Sequence, residues 1–417
     1  MQRLILITNG FPFGNSERSF LLREFYSLIH NFDLVILARE TEETLSYPIS
    51  ESIPVYQYKL SSHATGNIFK RIWKIGSCII HKPVLLDICK AMDPRMKKGN
   101  RRARIKQIMA YYLDAMQIEQ RIIEISETRE PDIIYTYWCN QATVAALNLK
   151  RKWEKLKVVT RFHGADLYEE RKKDHWQPLR DYIAKQSDKL VFACEAGKTY
   201  FLSRWGRAHE SKAVVSFLGC APQKRLDINF TKAFCLVSCS NMISLKRIDY
   251  IIEALSKMPD DIPVVWHHFG DGDMRQSLEA YAKKLLDRKK LVSYHFWGYI
   301  MNEELNKMYQ QIGAQLFITT SETEGGVPVS LQEAFAMGLP AVGTAVGGIP
   351  EMIVPHKTGF LLPPNPSIEQ VTDALMQYYR SSVEDKQAMS TLAYKHWEEH
   401  YDADKNAQHF VEMLRSL

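Results

Sequence analysis

The sequence has little that would carry it into or across a membrane. No apolar run approaches the roughly 18 residues that a spanning helix needs. The opening run Met1-Gln2-Arg3-Leu4-Ile5-Leu6-Ile7-Thr8 turns polar too soon for a secretory leader and reads as a first core strand. The seven cysteines have neither a zinc-type paired spacing nor a disulfide framework, which points to a reducing cytosol and buried thiols. Cys235 and Cys239 fall in one strand region and read as core filling. No metal-ligand cluster is visible, so no metal is expected. Short-period repeats are absent, and so is any recognisable nucleic-acid module, so nucleic acid is not an expected partner. Gly10 and Gly14, after the first strand, lack the spacing of the dinucleotide fingerprint.

Core-forming residues are plentiful. At 417 residues and 46% apolar content, the chain is long enough for two α/β domains of roughly 200 residues each. Strands are expected at 4–8, 34–37, 55–58, 132–137, 157–162, 190–193 and 213–215. A helix from about Glu17 carries Phe20, Leu21, Phe25 and Leu28 on one face, and another starts near Gln141. The polar stretch 221–227 reads as a linker. The pattern then restarts, with strands at 234–238, 263–266, 291–294, 315–320, 341–343 and 359–362. Alternation of strand, loop and helix predicts doubly wound parallel sheets. The expected division is 1–223, 224–395 and a C-terminal helical segment 396–417 packing back on the first domain.

Charge is modest overall, at +6, but uneven. Region 67–110 holds twelve basic residues against Asp87 and Asp93, a local charge of about +10. The basic residues are Lys70, Arg71, Lys74, Lys82, Lys90, Arg95, Lys97, Lys98, Arg101, Arg102, Arg104 and Lys106, interleaved with Phe69, Trp73 and several isoleucines. Such a stretch suits an anionic membrane surface. It equally suits a solvated helical face.

Two kinds of strand-end loop carry the chemistry. Gly14, Asn15 and Glu17, after the first strand, are candidates for substrate contact, although a plain βα connection has the same pattern. His163-Gly164-Ala165-Asp166 directly follows the strand at 157–162, which places an imidazole where α/β sheets take ligands. In the second half, Glu324-Gly325-Gly326-Val327-Pro328-Val329 follows a buried strand and opens a helix. The two glycines are expected to let the backbone turn sharply, and Pro328 to sit in the helix's first turn. A glycine loop at a helix N-terminus suits phosphate. Glu324 and Glu333, flanking it, suit sugar hydroxyls, so the combination points to a nucleotide sugar. An ordinary α/β turn with surface acids is the alternative.

Taken together, these stretches resemble the retaining nucleotide-sugar glycosyltransferases of glycosyltransferase family 4, with the GT-B fold of two Rossmann-like domains facing across a cleft. The resemblance covers nearly the whole chain. It is carried by 324–334, by Gly338-Leu339-Pro340 with 341–351, by Lys357-Thr358-Gly359 with 360–364, by Leu245-Lys246-Arg247 and by His163-Gly164-Ala165-Asp166-Leu167-Tyr168. It implies that Glu333 accepts hydrogen bonds from the nucleotide ribose and Glu324 from the donor sugar. Gly325, Gly326, Val327, Pro328 and Val329 would face sugar and phosphate, and Tyr299 and Ile300 the base. Lys246, with Arg247 beside it, would neutralise the diphosphate. His163 would bind the transferred sugar or the acceptor, with Gly14, Asn15, Glu17 and Asp166 on the acceptor side. The family's glutamate pair has seven residues between its members. Here there are eight, and Glu322 is the alternative partner. Where relatives place an arginine, this chain has Asn241.

The implied chemistry passes through an oxocarbenium-like sugar, with same-face attack, retained configuration, no metal and no cofactor beyond the donor itself. The implied catalytic residues are His163, Lys246 and Glu324. A glycan or lipid-linked glycan is the expected acceptor, and the expected location is the cytoplasm, peripherally on the inner membrane face. The alternatives are a nucleotide-sugar epimerase of the same fold and a non-catalytic nucleotide-sugar-binding scaffold.

Overall fold

The computed structural model describes residues 1–14, 17–41, 44–45, 47–60, 81–93, 100–230 and 233–417, with the side chains of 19, 20 and 303 also outside that set. Asn15 and half of the basic residues of the 67–110 region, Lys70, Arg71, Lys74, Arg95, Lys97 and Lys98, therefore lie outside the described residues. Two compact units form, one of Met1–Ser216 with Ala407–Leu417, the other of Phe217–Asn406.

The first unit is built on seven parallel strands, β1 (Arg3–Thr8), β2 (Asp33–Arg39), β3 (Val55–Tyr58), β4 (Ile133–Thr136), β5 (Lys157–Phe162), β6 (Lys189–Phe192) and β7 (Ala213–Val215), in the order β3-β2-β1-β4-β5-β6-β7. β1 pairs with β2 on one side and with β4 on the other, so the order reverses between β1 and β4. The strand cores Leu4–Ile7, Leu34–Ala38 and Ile133–Tyr135 are buried, which is why they read as continuous apolar runs rather than alternating ones. The helix Arg18–Asn31 buries Leu21, Phe25 and Leu28.

A buried ion pair crosses this unit. The Arg161 guanidinium, on β5, meets the Glu24 carboxylate, and their side chains are 0% and 7% exposed. The Tyr135 hydroxyl donates to Glu24 at 2.8 Å and accepts from Arg161 at 2.7 Å. Arg161 also donates to the Ser216 carbonyl at 2.8 Å and lies 4.8 Å from the ring centre of Phe410, on the last helix.

The second unit has six parallel strands, β8 (Phe234–Cys239), β9 (Val264–Phe269), β10 (Val292–Phe296), β11 (Leu316–Thr319), β12 (Ala341–Thr344) and β13 (Gly359–Leu362), in the order β10-β9-β8-β11-β12-β13. Successive residues face opposite sides of a strand. Leu236, Leu316, Ile318 and Val342 join one apolar core, while Val237, Phe317 and Ala341 join another on the opposite face. Both faces are therefore covered, and the order reverses between β8 and β11.

Several details differ from the expectation. The 221–227 stretch does not run free, because Leu226 is buried and its N–H donates to the Met337 carbonyl at 3.0 Å. Position 396 falls inside the helix Val383–His400. Among the described cysteines, Cys89 is exposed, since its helix, Lys82–Met92, turns it away from the buried residues Val84, Asp87 and Ala91.

Removing one partner of the Arg161–Glu24 pair leaves a buried charge uncompensated. Arg161→Met should cost ~3–5 kcal/mol in urea unfolding, and adding Glu24→Leu should recover most of it. Equal losses in the single and double variants would show that the pair is not the source.

Candidate functional site

In a doubly wound sheet, ligands sit beyond the carboxyl ends of the strands where the order reverses. In the second unit this is the ground after β8 and β11. The helix Val329–Ala336 follows β11 and buries Leu331, Ala334 and Phe335, with Gly338 ending it at φ +80°. Pro328 stands one residue before the helix, at the N-cap, and not in its first turn.

The loop between them is tied from both sides. Thr320 Oγ1 donates to the Arg247 carbonyl at 2.8 Å, and the Glu322 N–H donates to the Leu245 carbonyl at 2.8 Å. From the other side, Thr344 Oγ1 donates to the Ser321 carbonyl at 2.6 Å, and the Gly348 N–H to the Gly326 carbonyl at 3.0 Å. The chain bends at Gly325, Gly326 and Val327, as expected, but neither glycine takes a positive φ. The steric demand falls on the next loop. Gly347 takes φ +55°, and a Cβ there would lie 2.6 Å from the Glu324 carbonyl oxygen. At Gly348 a Cβ would lie 2.7 Å from the Val327 nitrogen. The Gly347-Gly348 turn thus braces the 324–327 loop by packing backbone directly on backbone.

Lys246 and Glu324 meet across this ground, Nζ to Oε1, at 2.5 Å, with their side chains 21% and 13% exposed. Glu322, the alternative partner, is exposed. Glu333 is buried and accepts from Asn302 Nδ2 at 2.6 Å. Asn302 opens the helix Asn302–Ile312, just after Tyr299 and Ile300, so Glu333 is linked to that segment. Tyr299 is 75% exposed, and Ile300 packs on the core that includes Leu331 and Phe335. Arg247 goes elsewhere. It takes a left-handed φ of +45° and sends its guanidinium to the Pro364 carbonyl and Asn365 Oδ1, both at 3.2 Å. Asn241 is exposed in the loop after β8.

In the first unit, the loops after β1, β4 and β5 are cross-tied by two carboxylates. Asp166 Oδ1 accepts the His163 N–H at 2.6 Å, and Oδ2 accepts the Cys139 N–H at 2.7 Å. Burial pushes its carboxyl up to about 7, against Arg180 and those two amides, which pull it down. Glu17, 2% exposed, accepts the amides of Asn9, Gly10 and Phe11 together with the indole N–H of Trp138. Both residues were expected on the acceptor surface. Their carboxylates are instead engaged by backbone and indole donors. Gly14 takes φ +66° and donates its N–H to the Thr44 carbonyl at 3.1 Å.

His163 Nε2 lies 3.0 Å from the Tyr137 carbonyl, so that nitrogen carries the proton. The Trp138 ring centre is 4.3 Å from the imidazole. Desolvation, with the Arg161 charge adding to it, holds the His163 pKa down at about 3, so the ring is neutral at physiological pH. Trp138 and Asn140, both partly exposed, were missed by the sequence reading, as was Asn302. Their signal was positional: Trp138 and Asn140 lie just past the end of β4, and Asn302 just past Tyr299.

Buried neutral histidines set the acid limb of stability. His163 at about 3, and His81, His267 and His268 at about 4, lie below the unfolded value near 6.5. The unfolded chain therefore binds more protons, and stability held above pH ~6.5 is lost as pH falls toward 4. His163→Gln should flatten the slope of unfolding free energy in that window by about one proton, ~1.4 kcal/mol per pH unit. An unchanged slope would contradict the buried neutral ring.

Among the described residues, no group of three or more His, Cys, Asp or Glu is placed to hold a metal, and no helix is long and apolar enough to cross a membrane. Residues 223–396 match the family model described as glycosyl transferases group 1. The chain is 23% identical over 257 residues to the N-acetyl-alpha-D-glucosaminyl L-malate synthase of Bacillus anthracis, covering 59% of this chain and 65% of that protein. It is 26% identical over 220 residues to the putative colanic acid biosynthesis glycosyltransferase WcaL of Escherichia coli K12, covering 50% and 52%. It is 27% identical over 234 residues to the amylovoran biosynthesis glycosyltransferase AmsK of Erwinia amylovora, covering 52% and 54%. The chain thus spans about half to two thirds of the length of these curated relatives. Among solved structures, the lipopolysaccharide outer core galactosyltransferase WaaB aligns with a TM-score of 0.68 at 15% identity, covering 100% of each chain. Anabaena HepE, solved in complex with UDP-glucose, aligns with a TM-score of 0.66 at 15% identity, covering 99% and 100%. The two parallel-sheet units therefore have the GT-B fold, and the second of them carries the match to glycosyl transferases group 1.

Proposed function

We propose that the protein is a retaining, metal-independent glycosyltransferase of family 4. It moves a sugar from a nucleotide-diphosphate sugar to a glycan acceptor, held on a lipid-linked intermediate. The observation that carries this reading is the Lys246–Glu324 pair set against a braced loop at the head of the helix Val329–Ala336. An ammonium, loop amides and the positive end of a helix dipole together suit a diphosphate. Glu324 then turns to the donor sugar's hydroxyls as the phosphate takes up Lys246, and Glu333, held by Asn302, accepts from the ribose. Tyr299 and Ile300 line the base. With Arg247 engaged by Pro364 and Asn365, neutralisation of the diphosphate rests on Lys246 and the helix end.

The step itself is a displacement at the anomeric carbon. The bond to the diphosphate oxygen breaks as the acceptor oxygen attacks the same face of an oxocarbenium-like sugar. The departing diphosphate takes the acceptor's proton, and Lys246 stabilises the charge that grows on it. His163, neutral and fixed by the Tyr137 carbonyl, serves as a hydrogen-bonding group and not as an acid. The polysaccharide-biosynthesis names of WcaL and AmsK, and the UDP-glucose bound by HepE, support a sugar nucleotide donor and a glycan product.

The experiment is product analysis with a panel of nucleotide sugars, reading anomeric configuration by NMR. Retention in the product is expected. Lys246→Ala should lower turnover by about a thousandfold or more with the fold intact. Inverted product, or unchanged turnover in the variant, would refute the reading.

Membrane docking is the second part of the proposal. The helix Lys82–Met92 exposes Leu85, Leu86 and Met92 with Lys82 and Lys90, and Arg101, Arg102 and Lys106 are exposed nearby in sequence. Arg104 does not contribute, being 1% exposed and bound to the Asp174 carbonyl. Replacing Lys82, Arg101 and Arg102 by Ser should weaken binding to phosphatidylglycerol-rich vesicles by about a hundredfold, near 1 kcal/mol per charge. Undiminished vesicle binding would remove the docking role from these residues.

A further inference from the structure

The loop after β1 folds around a carboxylate of its own chain. Glu17 Oε1 accepts the Asn9 N–H at 3.1 Å and the Trp138 indole N–H, while Oε2 accepts the Gly10 and Phe11 N–H groups, each at 2.7 Å. A carboxylate has about four acceptor positions, and four donors fill them. Consecutive backbone N–H groups converging on one point form an anion-binding concavity. This one lies past the carboxyl end of β1, beside β4, where the strand order of the first unit reverses. That is ligand ground in a doubly wound sheet. Here the anion is supplied by the protein.

We propose that Glu17 is a built-in substitute for an anionic substrate group. It closes the first unit's strand-end cradle to phosphate and carboxylate, so that the substrate group presented there is uncharged. A second anion would find the Asn9, Gly10, Phe11 and Trp138 donors taken and a negative charge already in place. The surrounding groups agree with this. Asn9, Trp138 and Asn140 are partly exposed at these strand ends, and the His163 imidazole is neutral. Two nearby arginines are committed inward, Arg161 to Glu24, Tyr135 and Ser216, and Arg180 to Cys139, Gln177 and the Asp166 carbonyl, while Arg18, partly exposed, lies over the Tyr47 ring. This is a surface for the hydroxyls of a neutral sugar, with Trp138, locked by its N–H bond to Glu17, as its flat apolar element. Naming a sugar rests on the transferase reading. The closure to anions does not.

The test measures thermal stability of the full chain in inorganic phosphate against chloride at matched ionic strength, for wild type, Glu17→Ala and Glu17→Gln. Any phosphate taken by the second unit is common to all three, so the excess over wild type is the readout. Glu17→Ala opens the cradle and should bind phosphate about tenfold or more tightly than wild type. Glu17→Gln refills the space and should show no excess. Trp138→Phe added to Glu17→Ala removes one donor and should reduce the gain. If Glu17→Ala folds only in phosphate, that rescue is the same result in stronger form. If it folds in neither salt, Glu17→Ser is read by the same criterion. No excess in the opened variant, or an equal excess in Glu17→Gln, overturns the proposal. Failure of the transferase reading would show instead as no nucleotide sugar turned over, with the phosphate comparison unaffected.

Discussion

The account depends on a single constraint in the second unit: a loop rich in small residues must hold one shape while its amides and side chains remain available to a ligand. Such a loop loses conformational entropy when ordered, roughly 1–2 kcal/mol per residue. The protein meets that cost with bonds from its own neighbours. Thr320 and Glu322 tie the loop to the segment carrying Lys246, and Thr344 and Gly348 tie it to the loop after β12. Lys246 and Glu324 then face each other as a partly dehydrated pair. An incoming diphosphate would exchange one anionic partner of the ammonium for another, with little rearrangement of backbone. A site assembled in advance spends less of its binding energy on ordering itself.

The two units solve the problem of the strand-end loop in opposite electrostatic ways. In the second, charge is left near solvent, with Lys246 and Glu324 partly exposed. In the first, the carboxylates are drawn inward: Glu17 saturates a cradle of amides, and Asp166 joins the loops after β4 and β5. Among the described residues, Asn9, Trp138 and Asn140 stay partly exposed beside them. That division matches the chemistry proposed for each, a charged leaving group for one and neutral hydroxyls for the other.

The strands were legible because parallel strands covered on both faces are written as unbroken apolar runs. The runs at 157–162 and 359–362 coincide with β5 and β13, and those at 55–58 and 213–215 with β3 and β7, the partly buried edges of the first sheet. The site was legible only as far as residue type could carry it. Glu17 and Asp166 stand where ligand-binding acids would stand, but backbone amides claimed them, and no sequence pattern announces a backbone donor. Gly325-Gly326 do mark a bend, but without the positive φ that only glycine takes freely. The glycines required by geometry are Gly347 and Gly348, whose neighbours are more than twenty residues away in sequence. Arg104 looked like one charge in a basic patch until its helix turned it under Trp176. Trp138 could not be singled out, because its meaning comes from Glu17 and His163, which other strands bring to it.

The most direct measurement is phosphorus NMR of a nucleoside diphosphate titrated with the protein, without any acceptor. The account predicts that both phosphate resonances shift and broaden with wild-type protein, and that Lys246→Ala abolishes the effect while the variant keeps its wild-type melting profile. Resonances that stay unperturbed at saturating wild-type protein, or that shift equally with the variant, would contradict a diphosphate seat at Lys246 and the head of the Val329–Ala336 helix.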